Sequence, residues 1–327
     1  MEFQVKVLLI TFFVTVVMSI VIIPLLRKLK VGQIERNDGP ESHLKKQGTP
    51  TMGGIIIMLA TIISSILVYI YYLKIRGDIQ VAKDLLPLII TTFGFGLIGF
   101  VDDFKKLVLK NTKGLNPKAK MAGLLLISVG YTFFLLKILN VGTDMYIPFL
   151  KQYINLPIFV YIPLVILVML STTNAINLTD GIDGLSSSVT AIILTALTVI
   201  SIVFNVKEVT VFGSILIGAC LGFLLFNLYP SKVMMGDTGS LMLGGAVSAI
   251  ALYLKMPLIL LIIALIPILE TLSVMIQVMH YKRTGNRIFK MAPLHHHFEL
   301  SGWKENKVVS VFSIITLIVC IIGVLSV

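Results

Sequence analysis

Residues 85–103 read LLPLIITTFGFGLIGFVDD. An uncharged, largely apolar run ends abruptly in two adjacent aspartates, Asp102 and Asp103. The run is apolar around its whole circumference, so no face of a helix built from it suits water. Its length approaches the ~20 residues that carry a helix across a bilayer. The two carboxylates then fall where hydrocarbon gives way to water.

The same pattern recurs along the chain. Apolar segments run over 4–26, 52–73, 85–101, 121–139, 157–173, 185–205, 209–229, 240–254, 258–280 and 308–327, of which 240–254 is the shortest. The composition agrees: 57% of residues are hydrophobic and 13% charged, against about 25% charged in soluble domains. The expected fold is an all-α integral membrane protein of about ten transmembrane helices, forming one polytopic domain over 1–327. The opening MEFQVKVLLI lacks a basic stretch and a small-residue cleavage site, so it is read as a retained first span. Cys220 and Cys320 lie within apolar runs, where they suit packing and not a disulfide framework.

Ten spans put both termini on one side. Of the 27 Lys and Arg residues, 19 fall in the loops 27–51, 102–120 and 281–307 or at Lys232. Cytoplasmic loops carry such an excess, so these loops are expected in the cytoplasm and both termini outside. The net charge of +11 then reflects orientation, and nucleic acid is not an expected partner. These loops are also the longer and more polar ones, so the working site is expected at the cytoplasmic face.

Carboxylates are scarce, which makes their placement informative. Asp102 and Asp103 end one span. Asp180 and Asp183 in NAINLTDGIDG follow another, and Asp237 in MMGDTGS follows a third. All five converge on one level of one face. Like charges so gathered repel and strain to protonate. Mg²⁺ takes hard oxygen ligands and works with one or two carboxylates plus phosphates and water, so a phosphate-handling Mg²⁺ site explains the cluster. For any one Asp beside Gly, a turn or cap is the simpler explanation. Gly181, Gly184, Gly236 and Gly239 let backbone approach a ligand. Lys46, Lys106, Lys110 and Lys118 can meet pyrophosphate, and Asn174 and Asn177 can orient carboxylates or bind substrate. Asn177-Leu178-Thr179 fits a glycosylation sequon but faces the cytoplasm in this topology. Glu270 falls deep in an apolar segment, three residues after Pro267. It is either a functional group or a buried carboxyl paired with a polar neighbour.

Residues 291–299 read MAPLHHHFE. Consecutive histidines point in different directions, so His295, His296 and His297 make a poor single-metal site and suit hydrogen bonds to nucleotide or phosphate.

With KKQGTPTMGG (45–54), FVDDFKK (100–106), NAINLTDGIDGL (174–185), MGDTGSL (235–241) and MAPLHHHFE (291–299) on the page, the chain resembles the polyprenyl-phosphate N-acetylhexosamine-1-phosphate transferase superfamily over nearly its whole length. The last motif resembles the branch that uses a muramoyl-pentapeptide donor. The resemblance implies transfer of phospho-N-acetylmuramoyl-pentapeptide from UDP-N-acetylmuramoyl-pentapeptide to undecaprenyl phosphate. The products would be lipid I and UMP, in the first membrane step of peptidoglycan synthesis, with Mg²⁺ as cofactor. It implies a multi-pass protein of the bacterial inner membrane, surrounded by lipid, and admits a homodimer. Asp237 would be the Mg²⁺ ligand. Asp102 would act as base or orient the lipid phosphate, with Asp103 beside it. Asp180 and Asp183 would complete the acidic centre, and His296 would lie near the donor pyrophosphate. Lys46, Thr51, Lys106, Asn177, Asn227, Gly236, Gln277, His295 and His297 would contact nucleotide or substrate. Met234 departs from the pattern, since many members carry an aromatic there that can stack on uracil; a thioether can still pack against a ring. Direct attack by the lipid phosphate and an aspartyl-phosphate intermediate are both compatible with these residues.

Three alternatives differ in class or donor. A sister transferase would use UDP-N-acetylglucosamine, which MAPLHHHFE disfavours. An ion-coupled transporter would place ionisable groups near the midplane in repeated broken helices, whereas here only Glu270 is deep. A structural scaffold would leave the acidic cluster without purpose.

Overall fold

The computed structural model describes residues 2–29, 48–107, 109 and 114–327. The apolar runs form long helices: α1 (Glu2–Lys28), α2 (Gly54–Ile70), α3 (Ile79–Leu107), α4 (Pro117–Phe133), α5 (Ile158–Thr179), α6 (Leu185–Val203), α7 (Lys207–Asn227) and α8 (Gly236–Tyr253). Single π-helical turns, Tyr71–Arg76 and Phe134–Ile138, extend α2 and α4. A short β-hairpin, β1 (Asp144–Ile147) with β2 (Gln152–Asn155), links α4 to α5. Then follow α9 (Leu260–Ile263), α10 (Leu265–Thr284), α11 (Leu294–Glu299) and α12 (Glu305–Leu325).

Among the described residues, eight helices are long and apolar enough to cross a membrane. The count is nine if α9 and α10, bent by 82° to one another, form one broken span. The expected segment 240–254 became α8. Its first turn carries Gly236, Asp237, Thr238 and Ser240, which lowers its apolarity, and its residues from Thr238 to Leu252 are all buried. It is the central helix, packed on α3 and α5. The outward faces are apolar: Phe13, Val17, Leu126 and Phe159 are all exposed. Such surfaces suit lipid as solvent, and the chain is a multi-pass membrane protein.

With no hydrophobic driving force between helices in lipid, close backbone approach and internal hydrogen bonds hold them together. On α7, Gly218 and Gly222 lie against the backbone of α1 at Leu8 and Phe12. The facing hydroxyls of Thr11, Thr15 and Ser19 donate to carbonyls one turn back, so none is left wanting a partner. Pro24, Pro87 and Pro163 sit inside helices, as membrane helices tolerate.

The stretch before α2 fixes the start of α8. Gly53 N–H and Gly54 N–H donate to the carbonyls of Met234 and Met235, and Met234 N–H donates to Pro50 O. A Cβ on Gly54 would run into the backbone of Gly239. Gly54→Ala is therefore expected to lower the melting temperature in detergent by roughly 5 °C or more, since backbone cannot give way as a side-chain tip can. An unchanged melting temperature would show that the two helices do not meet there.

Cys220 and Cys320 are buried free thiols, as their apolar settings led one to expect.

Candidate active site

Where the apolar run of 85–101 ends, the helix does not. The residues expected to open a loop, Asp102 and Asp103, occupy the last turns of α3 and are buried. Successive helical residues point about 100° apart, so the pair divides its work.

Asp103 turns to the N-terminus of α8. Its carboxylate accepts from Asp237 N–H at 3.2 Å, Thr238 N–H at 2.8 Å and the Thr238 hydroxyl at 2.6 Å. Asp180, the C-cap of α5, accepts from Gly236 N–H at 3.1 Å. Gly236 has φ +75°, a left-handed value that glycine takes without strain. Two carboxylates thus receive the free N–H groups and positive dipole end of α8. Desolvation in this cluster, with the charge of Asp237 added, pushes the Asp180 carboxyl up to about 8.

Asp102 turns to the lysines. Lys106 Nζ lies 2.8 Å from Asp102 Oδ2 and 2.9 Å from Asp237 Oδ2. Lys120 Nζ, from the first turn of α4, lies 3.2 and 2.9 Å from the same two oxygens. Leu115 N–H donates to the other oxygen of Asp102 at 2.7 Å. Asn177, still helical in α5, donates from Nδ2 to Asp237 Oδ1 at 2.8 Å and to the Ser240 hydroxyl at 2.8 Å. Carboxylates from α3 and α8 and ammonium groups from α3 and α4 form one network. The side chain of Asp237 is 19% exposed and that of Asp102 only 4%, so Asp237 is the one placed to meet a ligand.

Asp183 sits beside this centre. Its carboxylate accepts from Ser231 N–H at 2.9 Å, and its own N–H donates to Glu305 Oε1 at 2.6 Å. It joins the loop before α8 to the start of α12.

The histidine triplet reaches the acidic loop through α11. His295 is fully buried with its ring against Gly181. Its Nδ1 and its backbone N each lie 3.2 Å from Glu270 Oε1. The deep carboxyl of α10 therefore has a polar partner from the MAPLHHHFE motif. His296 stands edge-on to His295, with Nδ1 3.0 Å from Glu299 Oε2. His297 Nδ1 accepts from Lys290 N–H.

Other expected residues hold backbone. Asn227 is buried, accepting from the Ser187 hydroxyl and donating to Val233 O. Gln277 donates to Phe289 O and accepts from the N–H groups of Ile288 and Phe289. Thr51 is buried against Gly236. Asn174 donates back to Leu170 O within its own helix. Met234 is buried, its sulfur accepting from the Ser231 hydroxyl at 3.4 Å. Lys118 is exposed on α4, away from the network that Lys120 joins. Lys46 and Lys110 lie outside the described residues. Lys120, Ser240, Thr238 and Glu305 complete the site without having stood out as ligand contacts in the sequence. Among the described residues, no three carboxylate, imidazole or thiol groups gather as a ready metal cage.

Buried and paired charges from four helices, meeting at one end of a lipid-facing bundle, define a polytopic membrane protein with an ionic centre at that end. The profile of Glycosyl transferase family 4 matches residues 85–255, the stretch from α3 to α8 that builds this centre. A phospho-N-acetylmuramoyl-pentapeptide-transferase signature matches residues 46–58, which include Pro50, Gly53 and Gly54 that bond to Met234 and Met235. Curated relatives agree. A phospho-N-acetylmuramoyl-pentapeptide-transferase of Clostridium botulinum (strain Eklund 17B / Type B) is 48% identical over 97% of this chain and 94% of its own. That of Acetivibrio thermocellus is 47% identical over 98% and 94%, and that of Caldicellulosiruptor bescii 44% over 97% and 95%. The chain belongs to the phospho-N-acetylmuramoyl-pentapeptide-transferase family.

Proposed function

We propose that the chain moves phospho-N-acetylmuramoyl-pentapeptide from UDP-N-acetylmuramoyl-pentapeptide to undecaprenyl phosphate, giving lipid I and UMP, the first membrane step of peptidoglycan synthesis. The observation that carries the chemistry is the shared grip of Lys106 and Lys120 on Asp102 and Asp237. Two ammonium groups held at one interface offer fixed positive charge where a pyrophosphate would lie. Phosphoryl transfer depends on such positioning and charge stabilisation. Asn177 fixes the rotamer of Asp237, while Asp103 and Asp180 hold the helix that presents it. The buried Asp102 keeps both lysines aimed.

Asp237 suits Mg²⁺ in the mode this ion prefers, one or two carboxylates with substrate phosphates and water. It is a hard, partly exposed oxygen donor beside the lysines, and Asp237 would hold the ion. When bound, Mg²⁺ supplies charge neutralisation on the pyrophosphate and on departing UMP.

The apolar segments support ten spans with α8 counted, the bias of basic residues supports a cytoplasmic site and both termini outside, and the family supports residence in the bacterial inner membrane. A homodimer fits the same reading.

A two-donor assay tests it. Purified protein with undecaprenyl phosphate and Mg²⁺ is expected to convert the muramoyl-pentapeptide donor to a lipid-linked product and to leave UDP-N-acetylglucosamine untouched. Turnover of UDP-N-acetylglucosamine alone would assign the chain to the sister chemistry.

A further inference from the structure

A second built feature lies across the membrane from the acidic centre. Asp78 immediately precedes α3 and Asp102 lies in its last turns. At 1.5 Å rise per residue these levels are roughly 35 Å apart, comparable with a bilayer core of about 30 Å. At the Asp78 level, the ends of α1, α2 and α7 enclose a polar basin of about 410 Å³ that includes Gln4, Lys6, Arg76 and Lys207. A narrower groove of about 170 Å³ lies between α1 and α2, past Val7, Ile10, Leu67 and Val68. The stacked rings of Phe3 and Tyr71, 4.4 Å apart, line both, so basin and groove are neighbours that share a wall. Ile10 and Leu67 are 52% and 53% exposed. The groove therefore opens sideways onto hydrocarbon, which a soluble ligand would not require.

The basin favours an anion. Lys6 is paired with Glu2 at 2.6 Å, and Lys207 is only loosely tied to Asp78 at 3.8 Å. Arg76 has no carboxylate partner among the described residues. Its Nε donates to the Tyr71 hydroxyl at 3.1 Å, which braces the guanidinium at the junction. The remaining fork suits a phosphate. The side-chain oxygen of Gln4 is buried at the basin without a donor, and a hydroxyl on a ligand would satisfy it.

We propose that this crevice binds an anionic glycerophospholipid with a hydroxylated headgroup, drawn from the leaflet opposite the acidic centre. Its phosphate rests on Arg76 with Lys207 beside it, its headgroup hydroxyl donates to Gln4, and one acyl chain lies in the α1–α2 groove. The site is independent of the transfer reaction.

Native mass spectrometry of the delipidated full chain, titrated with phosphatidylglycerol or phosphatidylcholine, tests this. Phosphatidylglycerol is expected to half-saturate one site at about tenfold lower concentration. That converts to roughly 1.4 kcal/mol, within reach of one charge-assisted phosphate contact. Arg76→Gln or Lys207→Gln is expected to weaken the preference, and Ile10→Trp, which blocks the groove mouth on a lipid-facing surface, to remove the bound lipid. Chain-free glycerophosphoglycerol is expected not to compete. Equal retention of the two lipids, an unaltered preference in Arg76→Gln, or competition by the free headgroup would overturn the proposal.

Discussion

Asp237→Asn is expected to lower turnover by about a thousandfold, as removal of a charge-stabilising group at a reacting centre does. Asn is nearly isosteric and keeps one carbonyl oxygen, so the packing of α8 survives. What it loses is the negative charge that would hold a hard cation and that now anchors Lys106 and Lys120 on one oxygen. Asp102 still accepts from both ammonium groups. The stability cost is therefore held to about 1–2 kcal/mol, the scale of one weakened charged hydrogen bond. Turnover under saturating Mg²⁺ and the melting temperature in detergent check the two halves separately. Near wild-type turnover would remove Asp237 from the reaction. A variant that fails to fold would make it a structural anchor.

Lys120→Gln comes next, with a loss of about a hundredfold, the lower range for deleting one stabilising charge. Lys118→Gln, two residues away, should stay within about twofold. The contrast is the informative part. Both lysines sit in the first turn of α4, but positions two apart on a helix face different ways. Lys120 reaches two carboxylates and Lys118 is exposed. Gln retains length and hydrogen bonding, so the change reports on charge. Steady-state rates of both variants in parallel decide it, and equal losses would mean that the first turn of α4 as a whole, not one ammonium group, carries the effect.

Much of this arrangement was legible in the residues. Long uncharged runs can satisfy their backbone in lipid only as helices, so the spans follow from length and apolarity. Scarce aspartates at span ends marked one face, and the structure brings Asp102, Asp103, Asp180 and Asp237 together there through direct bonds to α8 and the lysines. The divided labour of Asp102 and Asp103 was not legible. Helical phase separates the two side chains, but only the packing of α3 on α8 decides which of them meets the N–H groups of Asp237 and Thr238. The same holds for Lys118 and Lys120. Glu270 stood open between a functional group and a paired buried carboxyl, because its partner His295 lies 25 residues away on another helix. Asn227 and Gln277, which the resemblance marks as substrate contacts, use their amides to clamp the loops at Val233 and Phe289, a role set by tertiary packing.

Label at the β-phosphorus of the muramoyl donor follows the bond that breaks. With undecaprenyl phosphate and Mg²⁺ present, phospho-sugar transfer moves the label into the lipid fraction and releases unlabelled UMP. Labelled UDP in the aqueous fraction, with an unlabelled lipid-linked sugar, would instead mean cleavage on the sugar side of the β-phosphate and would contradict the proposed reaction.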